Sequence, residues 1–293
     1  MTSKPMSSRR LIGSSVVVAA ALVIVGCNTP VAVAKFCSSA VATLSAGAPV
    51  FADMKASCLR EVSSRRSLAS FDLAKDDDPD CAALGKQADA ARAAAQVMSD
   101  YFSAVNALAS FDSARVGTSA TRLVDEASAI AKPGKDTKSA LENLGSFLAK
   151  AMTSGYPQRQ LARDLPDVSK NAIAVLGALS EIVRIDYAGS LLTSERQKLT
   201  DQYREFEAAK RKTAPLSVEA QLALYDRWRT DDDAIAVKRA AALKFAAGLD
   251  SMSKGLANLA ANADKLSAKE LFALLEPYAS ELETLIPAIQ KAL

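Results

Sequence analysis

Several residue groups in this chain have types and spacing that invite a chemical reading. Asp76-Asp77-Asp78-Pro79-Asp80 clusters carboxylates, which suit a hard cation such as calcium. A calcium loop with EF-hand spacing that starts at Asp76 needs Gly at its sixth position and Glu at its twelfth. The chain has Cys81 and Gln87 there, so the run reads as a solvated loop ending in a helix cap. Asp231-Asp232-Asp233 follows Arg227-Trp228-Arg229. Three adjacent carboxylates on a helix point in different directions and do not converge on one metal. Arg227–Asp231 and Arg229–Asp233 have the spacing of helical ion pairs, each contributing about 0.2–0.5 kcal/mol. Trp, Tyr and Arg dominate interface hot spots, which makes Tyr225, Arg227, Trp228 and Arg229 the candidate partner patch. No metal and no cofactor is expected.

Ser251-Met252-Ser253-Lys254 matches the Ser-x-x-Lys nucleophile motif of penicillin-binding proteins. The companion Ser-Asp-Asn and Lys-Thr-Gly elements are missing, so the match is attributed to chance. Histidine is absent from the whole chain. That removes Ser-His-Asp and Cys-His catalysis, His-ligated zinc, and the commonest general base near neutral pH. The expectation is a protein that is not an enzyme; only chemistry built on carboxylates, Ser or Lys stays open.

The formal charge of +3 comes from the N-terminal end. Residues 1–26 hold Lys4, Arg9 and Arg10 and no acidic residue; removing those three from 36 leaves 33 basic against 33 acidic residues. A neutral body lacks the electrostatic footprint of a nucleic-acid binder, so no nucleic-acid partner is expected.

Those basic residues open an export signal. Leu11 to Val25 is apolar or small, close to the ~7–15 residues of a secretory core and short of the ~20 a spanning helix needs. The run ends in Ile24-Val25-Gly26-Cys27, which resembles the lipobox of bacterial lipoprotein precursors. The resemblance implies cleavage between Gly26 and Cys27, diacylation of the Cys27 thiol, and often acylation of the new amine. Two or three acyl chains hold a membrane stably where one does so only marginally. Asn28 stands where the enteric inner-membrane sorting signal has Asp, which implies an outer-membrane address facing the periplasm. Two alternatives stay open. Ala32-Val33-Ala34 offers a small-x-small site at which cleavage before Lys35 would release a soluble periplasmic binding or chaperone-like protein, and an uncleaved anchor is the other.

Three cysteines follow: Cys37, Cys58 and Cys81, with no Cys-x-x-Cys pair. An oxidising periplasm favours one disulfide and one spare thiol. With helices over 31–46 and 50–69 folding back at Gly47-Ala48-Pro49, Cys37 and Cys58 come level, which makes them the disulfide candidates. Cys58 and Cys81 are not symmetric about the acidic loop at 72–80.

The elements that must position all of this are helices. Alternating β-branched runs are missing beyond the signal, and good helix formers dominate. Residues 81–111 repeat small and apolar residues at 4-3 spacing (Leu84, Ala88, Ala91, Ala95, Met98, Phe102, Val105, Ala109), with Asp80 as N-cap. Short helices are predicted over 119–131 and 136–153. Two long ones, 166–212 and 217–265, are joined by Thr213-Ala214-Pro215-Leu216 and should lie antiparallel. The second carries Ala242, Phe245, Leu249, Met252, Leu256, Leu259, Ala263 and Leu266 in heptad-like register, and turns polar towards the connection. Its base should be buried and its tip exposed. The last helix starts at Ser267 with Glu270 in a capping box and contains Pro277 and Pro287.

Together these give an all-α, elongated antiparallel helical bundle with a long hairpin at 166–265. It forms one domain over 35–293 on a tether at 27–34. The functional expectation is a lipid-anchored envelope scaffold or interaction module, attached through Cys27 and binding a protein partner or itself. The dense apolar stretch Ala172 to Ile185 keeps a membrane-active helical protein as a more distant alternative.

Overall fold

The computed structural model describes residues 29–66, 78–109, 135–153, 158–213, 215–262, 265 and 268–291. Among them the fold is all-α, with no strand. The order is α1 (Thr29–Arg66), α2 (Pro79–Ala109), α3 (Lys135–Thr153), α4 (Gln158–Glu181), a π-helical segment (Ile182–Leu191), α5 (Leu192–Thr213), α6 (Val218–Asn262) and α7 (Ala268–Gln290). The helix expected at 119–131, the cap Ser267, and Gly26 and Cys27 lie outside the described residues.

α1 is the central element and packs against α2, α5, α6, α7 and the π segment. Its Val31–Ser64 stretch is apolar enough to cross a membrane by length and composition, yet 56% of its most apolar window is buried inside the bundle. Phe36 meets Gly255, Thr43 meets Gly248, Gly47 meets Phe245, and Asp53 meets Lys238. From Phe36 to Asp53 α1 advances 17 residues while α6 goes back 17, from Gly255 to Lys238, so the two helices are antiparallel and in register.

The bend expected at Gly47-Ala48-Pro49 does not form; α1 runs through it. Pro49 removes the amide that would bond the Ser45 carbonyl, and both residues lie on the exposed side of the helix. Gly47 is used for close approach instead of a turn. The tether expected at 27–34 is also largely helix, because Ala32 and Val33 are apolar enough to be drawn into the core.

The unbroken α1 decides the disulfide, and the expected Cys37–Cys58 pair is corrected. On one helix those residues are separated by about 30 Å at ~1.5 Å per residue. Cys58 instead bonds Cys81 at the start of α2, with Cα atoms 5.5 Å apart, and Cys37 is free and buried. The N-cap of α2 also moves by two residues. Asp78 Oδ1 accepts from the Asp80 and Cys81 amides at 3.1 and 3.4 Å, and Asp80 lies in the first turn.

The alanine stripe of α2 is buried as its spacing predicts: Ala88, Ala91, Ala95, Met98, Phe102 and Val105 face the core. The long hairpin forms from α4, the π segment and α5 as one arm and α6 as the other. The first arm begins at Gln158, earlier than expected, with Pro166 inside it and Leu165 and Val168 buried on either side. Ala172, Val175, Leu176, Leu179 and Val183 are buried, so the apolar stretch there is a core segment. Along α6, the buried positions run from Asp232 to Leu259, while Val218, Leu222 and Tyr225 are more than half exposed.

Candidate functional site

The two arms of the hairpin are tied at matching levels. Ser180 Oγ and Arg184 Nη2 donate to Asp250 at 2.7 and 2.5 Å, and Arg239 Nε donates to the Ala188 carbonyl at 3.0 Å. Arg196 grips Asp232 through Nε and Nη2 at 2.5 and 2.6 Å. The Arg196 guanidinium holds the Asp232 carboxyl below the usual carboxylate range, and Asp232 in turn raises Arg196. Nearer the tip, Trp228 Nε1 donates to Thr200 Oγ1 at 3.3 Å, and the Tyr203 hydroxyl donates to Asp231 Oδ2 at 3.1 Å.

Beyond these ties the arms leave an open groove of about 450 Å³. Its α6 wall includes Val218, Leu222, Tyr225 and Trp228, and its α5 wall Thr200, Tyr203, Arg204 and Glu207. The rings of Tyr225 and Trp228 lie 5.6 Å apart and tilted, forming one aromatic surface. Lys210 sits 5.7 Å over the Phe206 ring beside it. An apolar floor with few polar groups at the rim suits an apolar side-chain array better than a small charged substrate.

No protein-family model, curated protein or solved structure matches the chain.

Of the candidate patch, Tyr225 and Trp228 line the groove. Arg227 and Arg229 do not: both are exposed, and Arg229 lies 3.9 Å from Asp233. The other expected ion pair, Arg227–Asp231, is replaced by the Tyr203–Asp231 hydrogen bond. The α5 wall was not anticipated. Its contribution depends on which α5 residues fall opposite Trp228, although the 4-3 spacing of Val218, Leu222 and Tyr225 was visible in the sequence.

A second polar assembly sits about midway along the hairpin, against α1. Asp53 accepts from Arg60 at 3.1 and 2.9 Å, from Lys238 Nζ at 2.9 Å and from the Tyr187 hydroxyl at 2.7 Å. Glu195 accepts from Arg60 Nε at 2.5 Å and from Ser57. Burial alone pushes the Asp53 carboxyl up, but the hydrogen bonds from Arg60, Tyr187 and Lys238 outweigh it and hold the pKa below normal. Burial first, then the Asp53 carboxylate, push the Tyr187 phenol up, so it remains a donor. The π segment aims Tyr187 inward, and its Ala188 carbonyl takes the Arg239 bond. Asp53, Ser57, Arg60, Tyr187, Glu195 and Lys238 are each bonded to another of the set across the α1–hairpin boundary or within α1, so the assembly reads as a clamp between α1 and the hairpin.

The Ser-x-x-Lys match is likewise structural. Ser251 is buried and donates to Glu281 at 2.8 Å, while Lys254 is exposed. Among the described residues no group of three His, Cys, Asp or Glu side chains is placed to hold a metal.

Proposed function

We propose that this protein is a non-enzymatic, lipid-anchored scaffold of the bacterial envelope whose hairpin tip is its docking surface. The observation that carries the reading is the distance between the anchor end and the groove. Phe36 is level with Gly255, so the start of α1 lies by the base of the hairpin, level with the end of α6. The tip is then some 70 Å away at ~1.5 Å per residue. A lipid on Cys27, two residues before α1, would hold one end and leave the groove free at the other. A neutral mature chain also makes lipid, rather than charge, the means of attachment. Cleavage before Lys35 would discard Ala32 and Val33, which the fold buries, and this argues for Cys27 as the processing site.

Two measurements test the reading. Mass spectrometry of the mature N-terminus should find an acylated Cys27; an unmodified chain starting at Lys35 rejects the anchor. Crosslinking followed by pull-down from membranes should recover a partner, or a second copy, with the wild type and lose it with Trp228→Ala. Recovery of neither with the wild type rejects the docking surface.

A further inference from the structure

Resting on the reading of Cys27 as the lipidated residue, we propose that the base of the bundle, at Val31 and Phe272, seats in the headgroup layer of the bilayer that the lipid enters. α1 and α7 run parallel. Lys35 Nζ donates to Glu276 at 2.9 and 3.1 Å, and farther along both helices Ser39 Oγ donates to Glu283 at 3.2 Å. One turn nearer the start of each helix, on the same side as the ion pair, stand Val31 and Phe272. They are 56% and 38% exposed, whereas Leu271 and Leu275 on the inner side of α7 are buried. The side of the bundle thus changes from apolar to charged within one turn, about 6 Å at ~1.5 Å per residue. Such a step suits the boundary between acyl chains and water.

The chain leading to this pair decides what covers it. Cys27 is two residues before Thr29, the first of α1, and two residues span at most about 7 Å. Val31 is two residues farther, about 3 Å along the helix axis. Acyl chains on Cys27 therefore hold the pair at the level of the headgroups, and a protein partner would have to enter the narrow gap between bundle and bilayer. The exposed charges around the start of α7, Lys265, Lys269 and Glu270, are mixed in sign. The contact is consequently apolar, and suits zwitterionic lipid as well as anionic. Its effect is on orientation. A lipid alone leaves the bundle to swing about a two-residue tether, and a second contact beside it fixes how the hairpin tip is presented.

The chain has a single tryptophan, Trp228, at the far end of the hairpin, which supplies an internal control. The lipidated protein is placed in zwitterionic vesicles whose acyl chains are brominated near the headgroups. Wild type is compared with Phe272→Trp in a Trp228→Phe background, with circular dichroism to confirm the fold and mass spectrometry to confirm acylation. The introduced indole should move to shorter wavelength and lose emission to the bromines, at low salt and high alike. The wild-type indole, some 50 Å farther along at ~1.5 Å per residue, should keep its emission. An acylated protein whose introduced indole keeps its emission overturns the proposal and leaves the anchor standing. Loss that disappears in high salt overturns the apolar contact, and equal loss from both indoles overturns the base as its place. An introduced indole shielded from aqueous acrylamide but untouched by the bromines overturns it in favour of a protein partner or a second copy. If the mass spectrum shows no acyl chain on Cys27, the anchor and the proposal fail together.

Discussion

Phe245 of α6 occupies the space that a side chain on Gly47 of α1 would need: a Cβ at residue 47 would lie 2.1 Å from the ring. The relationship is reciprocal along the same seam, since Phe36 of α1 lies 2.4 Å from a Cβ built on Gly255 of α6. Each helix lends the other a ring and a gap. Phe51 and Phe102 then meet the two rings edge to face at 5.9 Å, which joins the seam to the rest of the core.

Replacing Gly47 or Gly255 with Ala is therefore expected to destabilise, although Ala is the better helix former. The gain in propensity is about 0.5–1 kcal/mol, and overpacking a filled core costs about 1–3 kcal/mol or more. Gly177 is exposed, with nothing within 4 Å of an added Cβ. Gly177→Ala should consequently stabilise by about 0.5–1 kcal/mol. Urea denaturation of the three variants checks this, and destabilisation by Gly177→Ala together with tolerance at Gly47 would contradict the packing described.

The same seam shows what could be read from the chain beforehand. The 4-3 spacing of Ala88, Ala91, Ala95, Met98 and Phe102 marked a buried face, because helical period alone sets which residues align. The hairpin and its polar tip were legible for the same reason. Gly47-Ala48-Pro49 misled because its local preference for a turn is outweighed by Phe245, almost two hundred residues away in the chain. The Cys37–Cys58 pairing depends on that bend, because only a fold-back at residues 47–49 brings those two cysteines level. The Asp53 clamp left no local trace, since Arg60 alone of its donors is near it in sequence. Nothing in Ile182–Leu191 announces a π segment.

Asp53→Asn should cost about 2–3 kcal/mol, because a carboxylate that is 17% exposed loses its charge beside Arg60 and Lys238. Arg196→Met breaks a bidentate pair as well, yet Arg196 is half exposed, and the loss should stay near 1 kcal/mol. Tyr187→Phe should fall between them. Denaturant midpoints rank the three; Arg196→Met emerging as the most damaging would reject the clamp as the tighter joint.

Stability should fall on the acid side. Asp53 and Asp232 both have folded pKa values below the ordinary 3.8. Each therefore contributes stability that is complete above the unfolded value and is lost as pH falls through the folded one. The urea midpoint should be level from pH 7 to about 5 and then decline through pH 4 and below. Asp53→Asn should flatten that decline, since the substituted group no longer titrates. A decline parallel to wild type would assign the acid sensitivity to other carboxylates.

The disulfide ties an end of the bundle that apolar packing covers thinly. Cys58, Val62 and Cys81 form a small cluster separate from the main core, with Leu59, Leu84 and Leu191 packed on it. Closing a loop across 23 positions removes enough freedom from the unfolded chain to stabilise by about 3 kcal/mol. Reduction, or Cys58→Ser with Cys81→Ser, should lower stability by roughly that amount. Amide exchange should then quicken near residues 58–66 and 78–84, while the Gly47–Phe245 seam stays protected. Cys37 is fully buried, and burial pushes its thiol well up, so it should resist alkylation until the protein unfolds. Non-reducing peptide mapping of the native protein should link Cys58 to Cys81. A Cys37–Cys58 link would require α1 to fold back at Pro49, and with it the loss of the Phe245–Gly47 contact.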